Sequence, residues 1–344
     1  MHIKDDFRPL VFVTGASGYL GSVVVNELLE AGYPVRGAAR GRKVAAIKEA
    51  FAKYPSFEAV EIADVATADY TDILAGVGAI IHTAAPLPGR VEGEAAFTSA
   101  IDGSLNILRA ANKAGISRVV VTGSTVSFPE NKFGPDDWVA VTKEEALKGS
   151  AIELYVAEKK YSEQAILEFA KEHAQMDITI FNPPWIFGPL APGFESLIPT
   201  PNGAYASFSA NGFVYQLLRA DNTSYHYSPG TIDHSLPLTP NGTRPRRLAI
   251  VSPYQTDFRD AIKYIQDERP ELSNRLADPE TVPRWSTYKL DVDLSPIEEF
   301  FGYPISAFKT WRETILDTID RFIEIENNWR GAGYEFEVPK QPPM

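Results

Sequence analysis

The sequence predicts an α/β protein built on a Rossmann-type doubly wound parallel sheet, with a smaller C-terminal lobe. Three observations lead there. Short apolar runs alternate with amphipathic stretches through the first half of the chain. A glycine-rich turn separates the first such run from the first helix-like stretch. Beyond Asn182 the rhythm gives way to segments rich in Pro, Gly, Asn and aromatic residues.

Taken in order, β-branched runs bounded by turn residues predict strands over Leu10–Thr14, Pro34–Ala38, Glu58–Ile62, Ala79–Thr83, Arg118–Thr122 and Ile178–Asn182. Helical periodicity predicts Tyr19–Ala31, Val44–Tyr54, Glu94–Ala114 and Ala151–His173 between them. Parallel strands require such crossovers, so both faces of the sheet are expected to be covered. Further on, Pro183–Pro189, Pro192–Pro201 and Thr223–Pro245 read as loops, and Phe208–Ala220, Asp257–Glu268 and Ser306–Asn328 as helices. The expected organisation is an NADP-binding domain over residues 1–182, a mainly substrate-binding lobe over 183–330 that shares its core, and a polar tail over 331–344.

Composition removes several function classes. With 44% apolar and 23% charged residues the chain is an ordinary globular one. Its net charge of −12 argues against nucleic acid, whose phosphates demand clustered positive charge, and against anionic membranes. The absence of cysteine excludes disulfides, thiolate metal sites and a cysteine nucleophile, and no metal is expected. Met1–Pro9 is charged and lacks an apolar core, and Leu10–Val13 is too short to span a bilayer. The expectation is a cytoplasmic enzyme, monomeric or homodimeric, acting on a small molecule.

The turn Gly15-Ala16-Ser17-Gly18-Tyr19-Leu20-Gly21 follows a predicted strand and opens a predicted helix, the context a dinucleotide fingerprint requires. Gly15 permits the tight turn, Gly18 lets backbone N–H groups approach a pyrophosphate, and Gly21 lets helix and sheet pack closely. At the end of the second strand an acid would bind a ribose 2′-hydroxyl and a base a 2′-phosphate. Here Arg36, Arg40, Arg42 and Lys43 crowd into eight residues with no acid among them. Arg40 falls where the ribose belongs, so the expected cofactor is NADP(H), with Lys43 and the other bases adding field. A solvated basic face is the competing reading. Asp64, ending the third strand, is placed to accept from adenine or to be a plain loop carboxylate.

Tyr155 and Lys159 stand at i and i+4 on a predicted helix, so their side chains share a face. A nearby ammonium stabilises a phenolate and makes tyrosine usable as an acid near neutral pH. Ser124 lies just past the fifth predicted strand, at the sheet edge where doubly wound folds bind ligands, although alone it reads as a turn former. Phe128, Trp185, Phe208 and Tyr215 are candidate pocket aromatics, with a purely core role for most of them as the competing reading.

Together, VTGASGYLGS at 13–22, VRGAAR at 35–40, GSLNILRAA at 103–111, VVVTGSTVS at 119–127, YVAEKKYSEQA at 155–165 and FNPPWIFGP at 181–189 resemble the extended short-chain dehydrogenases/reductases. The similarity is to fungal NADPH-dependent aldehyde, ketone and methylglyoxal reductases and to dihydroflavonol 4-reductases. It is specific over residues 10–190 and looser over 245–325. It implies a carbonyl reductase in which Ser124, Tyr155 and Lys159 are catalytic and Arg40 meets the 2′-phosphate. Further cofactor contacts would come from Val65 beside Asp64, from Thr83 and Ala84, and from the Pro183–Ile186 backbone with Trp185. A nucleotide-sugar epimerase or dehydratase, and a non-catalytic NADP-sensing regulator, are the alternatives. Gly123 and Glu158 stand where the family usually has serine. The family's acidic strand-and-helix segment between 220 and 245 is not recognisable, so pocket shape and substrate do not carry over.

Overall fold

A computed structural model describes residues 8–85, 91–130, 132–202, 204–218, 246–282, 290 and 292–338. Among them, strands β1 (Leu10–Thr14), β2 (Val35–Ala39), β3 (Phe57–Glu61), β4 (Val77–His82), β5 (Arg118–Thr122), β6 (Asp177–Asn182) and β7 (Arg246–Ala249) form one sheet in the order β3-β2-β1-β4-β5-β6-β7. Every pairing is parallel. The order reverses between β1 and β4, so their carboxyl ends open the crevice in which such folds bind ligands.

Alternation along the strands explains the layering. Val11 and Val13 point to the face covered by α1 (Tyr19–Glu30) and α2 (Lys43–Ala50), where they meet Val25, Leu29, Ile47 and Phe51. Phe12, Ile80, Val119 and Ile178 point to the other face, against Ile107 and Leu108 of α3 (Glu94–Lys113) and Ile166 and Phe169 of α5 (Ala151–Glu172). Burial on both faces is what parallel sheets require, and it accounts for the near-continuous apolar runs in the sequence.

Six strands and five helices fall within a few residues of expectation, and the helix expected over Ser306–Asn328 begins at Trp311. The differences have local causes. The helix expected over Phe208–Ala220 is α6 (Asn211–Tyr215), tightening into a 3-10 turn over Gln216–Leu218, with 219 and 220 outside the described residues. The loop expected over Thr223–Pro245 also lies outside them, as do residues 339–344 of the tail. Strand β7 was not anticipated, because its RRLA carries two arginines and reads as polar. The short α4 (Lys143–Lys148) and α8 (Ser295–Phe301) escape periodicity, although Thr142 and Glu145 form a capping box ahead of α4.

The C-terminal helices α7 (Phe258–Glu268) and α9 (Trp311–Gly331) enclose an aromatic cluster with Phe194, Phe208, Tyr215 and Phe322. This corrects the expected pocket lining: Phe128, Phe208 and Tyr215 are each 2% exposed or less and belong to the core. Tyr215 is fixed there by its hydroxyl on Glu326, 3.0 Å away.

The glycine turn is sterically closed. Gly15 has φ +70°, and a Cβ at Gly21 would lie 2.1 Å from the Gly15 carbonyl oxygen. Alanine at 21 therefore forces α1 off the sheet, at a cost of about 3 kcal/mol or more. Gly331, with nothing within 4 Å of its would-be Cβ, is the control. Thermal melts should show Gly21→Ala several degrees below wild type and Gly331→Ala unchanged or slightly raised. Equal melting of Gly21→Ala and wild type would contradict this packing.

Candidate active site

The first-turn N–H groups of α1 converge on the crevice. Gly18 is the N-cap with no side-chain cap, and no acidic residue occupies the first turn. The first helical bond runs from the Ser22 N–H to the Gly18 carbonyl, so the N–H groups of Tyr19, Leu20 and Gly21 precede the ladder. With Ser17 half-buried and Gly18 exposed, this is an accessible anion site of the kind a pyrophosphate needs. The Tyr19 side chain, by contrast, turns inward. Its hydroxyl donates to the Gly188 carbonyl at 3.2 Å, and burial pushes its pKa up to about 12. Only its backbone is available for phosphate.

The ends of β1 and β4 are tied by Thr14. Its hydroxyl oxygen accepts from the N–H groups of Thr83 and Ala84, both at 3.2 Å, which leaves its hydrogen for Nδ1 of His82 at 2.8 Å. His82 is thereby neutral with its proton on Nε2. Burial, reinforced by Lys159, lowers its pKa to about 4. The Thr83 hydroxyl donates to the Thr14 carbonyl at 2.7 Å.

The basic residues in and after β2 divide. Arg36 is not available to a cofactor: its Nε pairs with Glu58 at 2.7 Å and its Nη1 donates to the carbonyls of Ile73 and Ala75. This corrects its expected share in the positive field. Arg40, Arg42 and Lys43 are exposed beyond the strand end. Asp64 caps its own loop through the Ala66 N–H at 2.9 Å, and the Val65 carbonyl accepts from the Asn106 amide at 3.0 Å. Asp64 and Val65 thus follow the end of β3, with Val65 packed against Gly103 of α3.

Helix α5 starts at a capping box, Ser150 with Glu153, which sets its phase. Tyr155, Lys159 and Glu163 then recur every fourth residue on one face. That face meets the carboxyl end of β5. Lys159 Nζ donates to the Thr122 carbonyl at 3.2 Å and lies 5.9 Å from the centre of the Tyr155 ring. Ser124, 8% exposed, caps a 3-10 turn by accepting the Val126 N–H at 3.4 Å. Beside Lys159, a small cavity is lined by His82, Ala84, Thr122, Gly123 and Glu158. Trp185 is 57% exposed with its ring edge-on to Phe213, and Ile186 packs against the lobe core. The Pro183 carbonyl accepts the Thr125 N–H at 3.1 Å, so this backbone is already joined to the serine loop.

Sequence reading missed the group behind Ser124. Glu163 accepts the Ser124 N–H at 3.1 Å through Oε1, and at Oε2 meets Ser127 Oγ at 2.7 Å and Arg247 Nε at 2.8 Å. Both partners of this ion pair are 1% exposed. Arg247 also stacks on Phe128 and Trp138, its guanidinium carbon 3.5 and 3.7 Å from the ring centres. Gly123 makes room: a Cβ there would lie 2.4 Å from Asn182 Nδ2 and 2.6 Å from Glu163 Oε1. A serine at 123 does not fit this arrangement. The one sequence signal was a carboxylate at the third position of the Tyr155–Lys159 face.

Glu158 is 5% exposed, and burial raises its pKa from 4.5 to about 7 against the opposing effect of Lys159. A raised carboxyl pKa means the native state holds the proton more tightly than the unfolded chain. The associated stability is present below pH 4.5 and is lost as pH rises towards 7. Discounted for solvent screening, the loss is about 1–2 kcal/mol. Urea unfolding at pH 5 and pH 8 should therefore show wild type losing that much relative to Glu158→Gln, with His82 titrating equally in both. Parallel pH profiles would contradict the shift.

Residues 11–201 match the profile of the NAD dependent epimerase/dehydratase family. The chain is 34% identical over 199 residues to an uncharacterized oxidoreductase of Schizosaccharomyces pombe, a match that spans 52% of this chain and only 59% of that protein. It is 24% identical to the NADPH-dependent methylglyoxal reductase GRE2 of Saccharomyces cerevisiae over 92% of this chain and 98% of the relative. The fold superimposes on the crystal structure of yeast methylglyoxal/isovaleraldehyde reductase Gre2 complexed with NADPH with a TM-score of 0.70, 22% identity, and coverage of 93% and 99% of the two chains. With a glycine turn, a Tyr–Lys helix face and a parallel sheet in this order, and a family profile covering more than half its length, the chain belongs to the NAD dependent epimerase/dehydratase family, in its extended short-chain dehydrogenase/reductase form.

Proposed function

We propose that the protein reduces the carbonyl group of a small organic substrate to an alcohol with NADPH. The observation that carries this reading is the packing of the Tyr155–Lys159 face of α5 against the end of β5 beside Ser124. The relatives named for NADPH-dependent reduction support the choice of reaction.

The residues fit the cofactor. The N–H groups opening α1 would hold the pyrophosphate, with Gly15, Ser17, Gly18 and Gly21 keeping side-chain bulk away. Arg40 would pair with the 2′-phosphate, Asp64 and Val65 would border the adenine, and Thr83, Ala84 and the Pro183–Ile186 backbone would border the nicotinamide half. When bound, NADPH supplies the hydride. Lys159 keeps two N–H donors beyond its bond to Thr122 and is free to hold the ribose. Tyr155, one turn earlier on the same face of α5, delivers the proton to the substrate oxygen. The Ser124 hydroxyl, which uses only an acceptor lone pair in its turn, donates to that same oxygen. Residues 1–182 would thus carry the cofactor and 183–330 mainly the substrate. Among the described residues no helix is long and apolar enough to cross a membrane, and the proposed compartment is the cytoplasm.

NADPH oxidation against a panel of aldehydes, keto esters, aryl ketones and dihydroflavonols tests the reading. With any substrate turned over, Tyr155→Phe should lower kcat by about 10²-fold or more while the NADPH dissociation constant stays within a few-fold. Full activity in that variant would move the proton donor elsewhere. Arg40→Ala should raise KM for NADPH by about 10- to 100-fold, less at high salt, and leave NADH nearly unchanged. Equal loss of both cofactors would make Arg40 structural.

A further inference from the structure

Both backbone groups of Ser124 are held by one buried polar cluster, while its hydroxyl accepts the Val126 N–H and keeps its own hydrogen to donate. Its N–H donates to Glu163 Oε1 at 3.1 Å. Its carbonyl faces Ser127 Oγ at 2.8 Å and Asn182 Nδ2 at 3.1 Å. Ser127 Oγ in turn accepts from Arg247 Nη2 at 2.8 Å and lies 2.7 Å from Glu163 Oε2. Having one hydrogen, that hydroxyl can donate to the serine loop or to the carboxylate, but not to both at once.

The cluster joins three separate parts of the chain. Glu163 comes from the helix that carries Tyr155 and Lys159, Asn182 ends β6, and Arg247 comes from β7, more than sixty residues further along the chain. Arg247 Nη1 donates to the Asp137 carbonyl at 2.7 Å, which brings the loop after Ser124 into the same arrangement. Fully buried charge pairs are poor sources of stability, and apolar residues of similar volume would fill the space as well or better. Such residues could not bond the N–H and carbonyl of residue 124.

We propose that the Glu163–Arg247 pair is a positioning device for Ser124, fixing the backbone on either side of its Cα so that the hydroxyl points at the substrate oxygen. The proposal rests on the reading of Ser124 as the group that holds that oxygen. In this role Glu163 and Arg247 act through Ser124. A displacement of about 1 Å in an aligned hydroxyl is enough to slow turnover by about 10²-fold.

A double-mutant cycle on the full-length protein with NADPH tests this, using a carbonyl substrate from the panel. Glu163→Gln retains shape but sets an amide N–H against Arg247 Nε, and should lower kcat by about 10- to 100-fold with the NADPH dissociation constant within about twofold. Placed in a Ser124→Ala background, the same change should cost less than about threefold more, since the aligned hydroxyl is already gone. Ser127→Ala keeps the ion pair and removes one small hydroxyl; it should show a smaller kcat loss with the same non-additivity, and it serves if Glu163→Gln does not fold. Full additivity with an impaired Ser124→Ala overturns the positioning role alone. Unimpaired turnover in Ser124→Ala overturns it together with the reading of the site. Loss of NADPH affinity in step with kcat would mark Glu163 as a structural support of the cofactor site and overturn it as well.

Discussion

The contact on which the rest depends is the one between α5 and the carboxyl end of β5. Lys159 donates to the Thr122 carbonyl and Glu163 accepts from the Ser124 N–H, so two consecutive turns of the helix grip the strand and the residue just beyond it. A helix bonded to a neighbouring strand at two points cannot rotate about its axis, and Tyr155, one turn earlier on the same face, inherits a fixed direction. On the same stretch of the helix, Ser162 meets the Ala100 carbonyl and Ser104 of α3, both at 3.1 Å. The proposed acid and its ammonium neighbour are thus placed by polar contacts to β5 and to α3 rather than by shape alone.

Electrostatics are arranged locally in a chain that is strongly acidic as a whole. Negative charge is kept out of the first turn of α1, Arg40 stands exposed at the end of β2, and Arg36, which could have added field, is spent on Glu58 and two backbone carbonyls. Close by, burial neutralises rather than charges: His82 is held neutral by Thr14 and by its surroundings, and Glu158 ionises only near neutrality. Lys159 is the cation that lines the cavity at the end of β5, and the Glu163 carboxylate that also lines it is paired with Arg247.

Much of this was legible in the sequence, for physical reasons that differ from residue to residue. The strands announced themselves because a parallel sheet covered on both faces leaves uninterrupted β-branched runs. Tyr155 and Lys159 could be placed on one face because their spacing is a helical turn, and Ser124 because it follows a strand in a fold that binds ligands at strand ends. Glu163 and Arg247 were not legible: single charged residues on a helix or in a polar tetrapeptide read as solvated, and only the three-dimensional packing shows them to be buried against each other. The direction of the Tyr19 ring was not legible either, since the glycine motif sets the backbone and leaves open that the side chain turns inward to Gly188. Phe128, Phe208 and Tyr215 misled because aromatic content in a lobe serves packing as readily as binding, and here it packs.

Glycine is informative at two places for one reason, the close approach of polar backbone or side-chain atoms. At Gly21 the obstacle is a carbonyl oxygen and at Gly123 an amide and a carboxylate. The second replaces the serine usual in similar proteins and makes space for the cluster behind Ser124. In the proposed reaction these elements together direct a hydride to a carbonyl carbon and a proton to its oxygen. Following deuterium from NADPH labelled on each face of the nicotinamide C4 in turn tests this. The product alcohol should carry a single deuterium on its carbinol carbon from one face only. Product without deuterium, or inversion of a substrate centre without net oxidation of the cofactor, would contradict it.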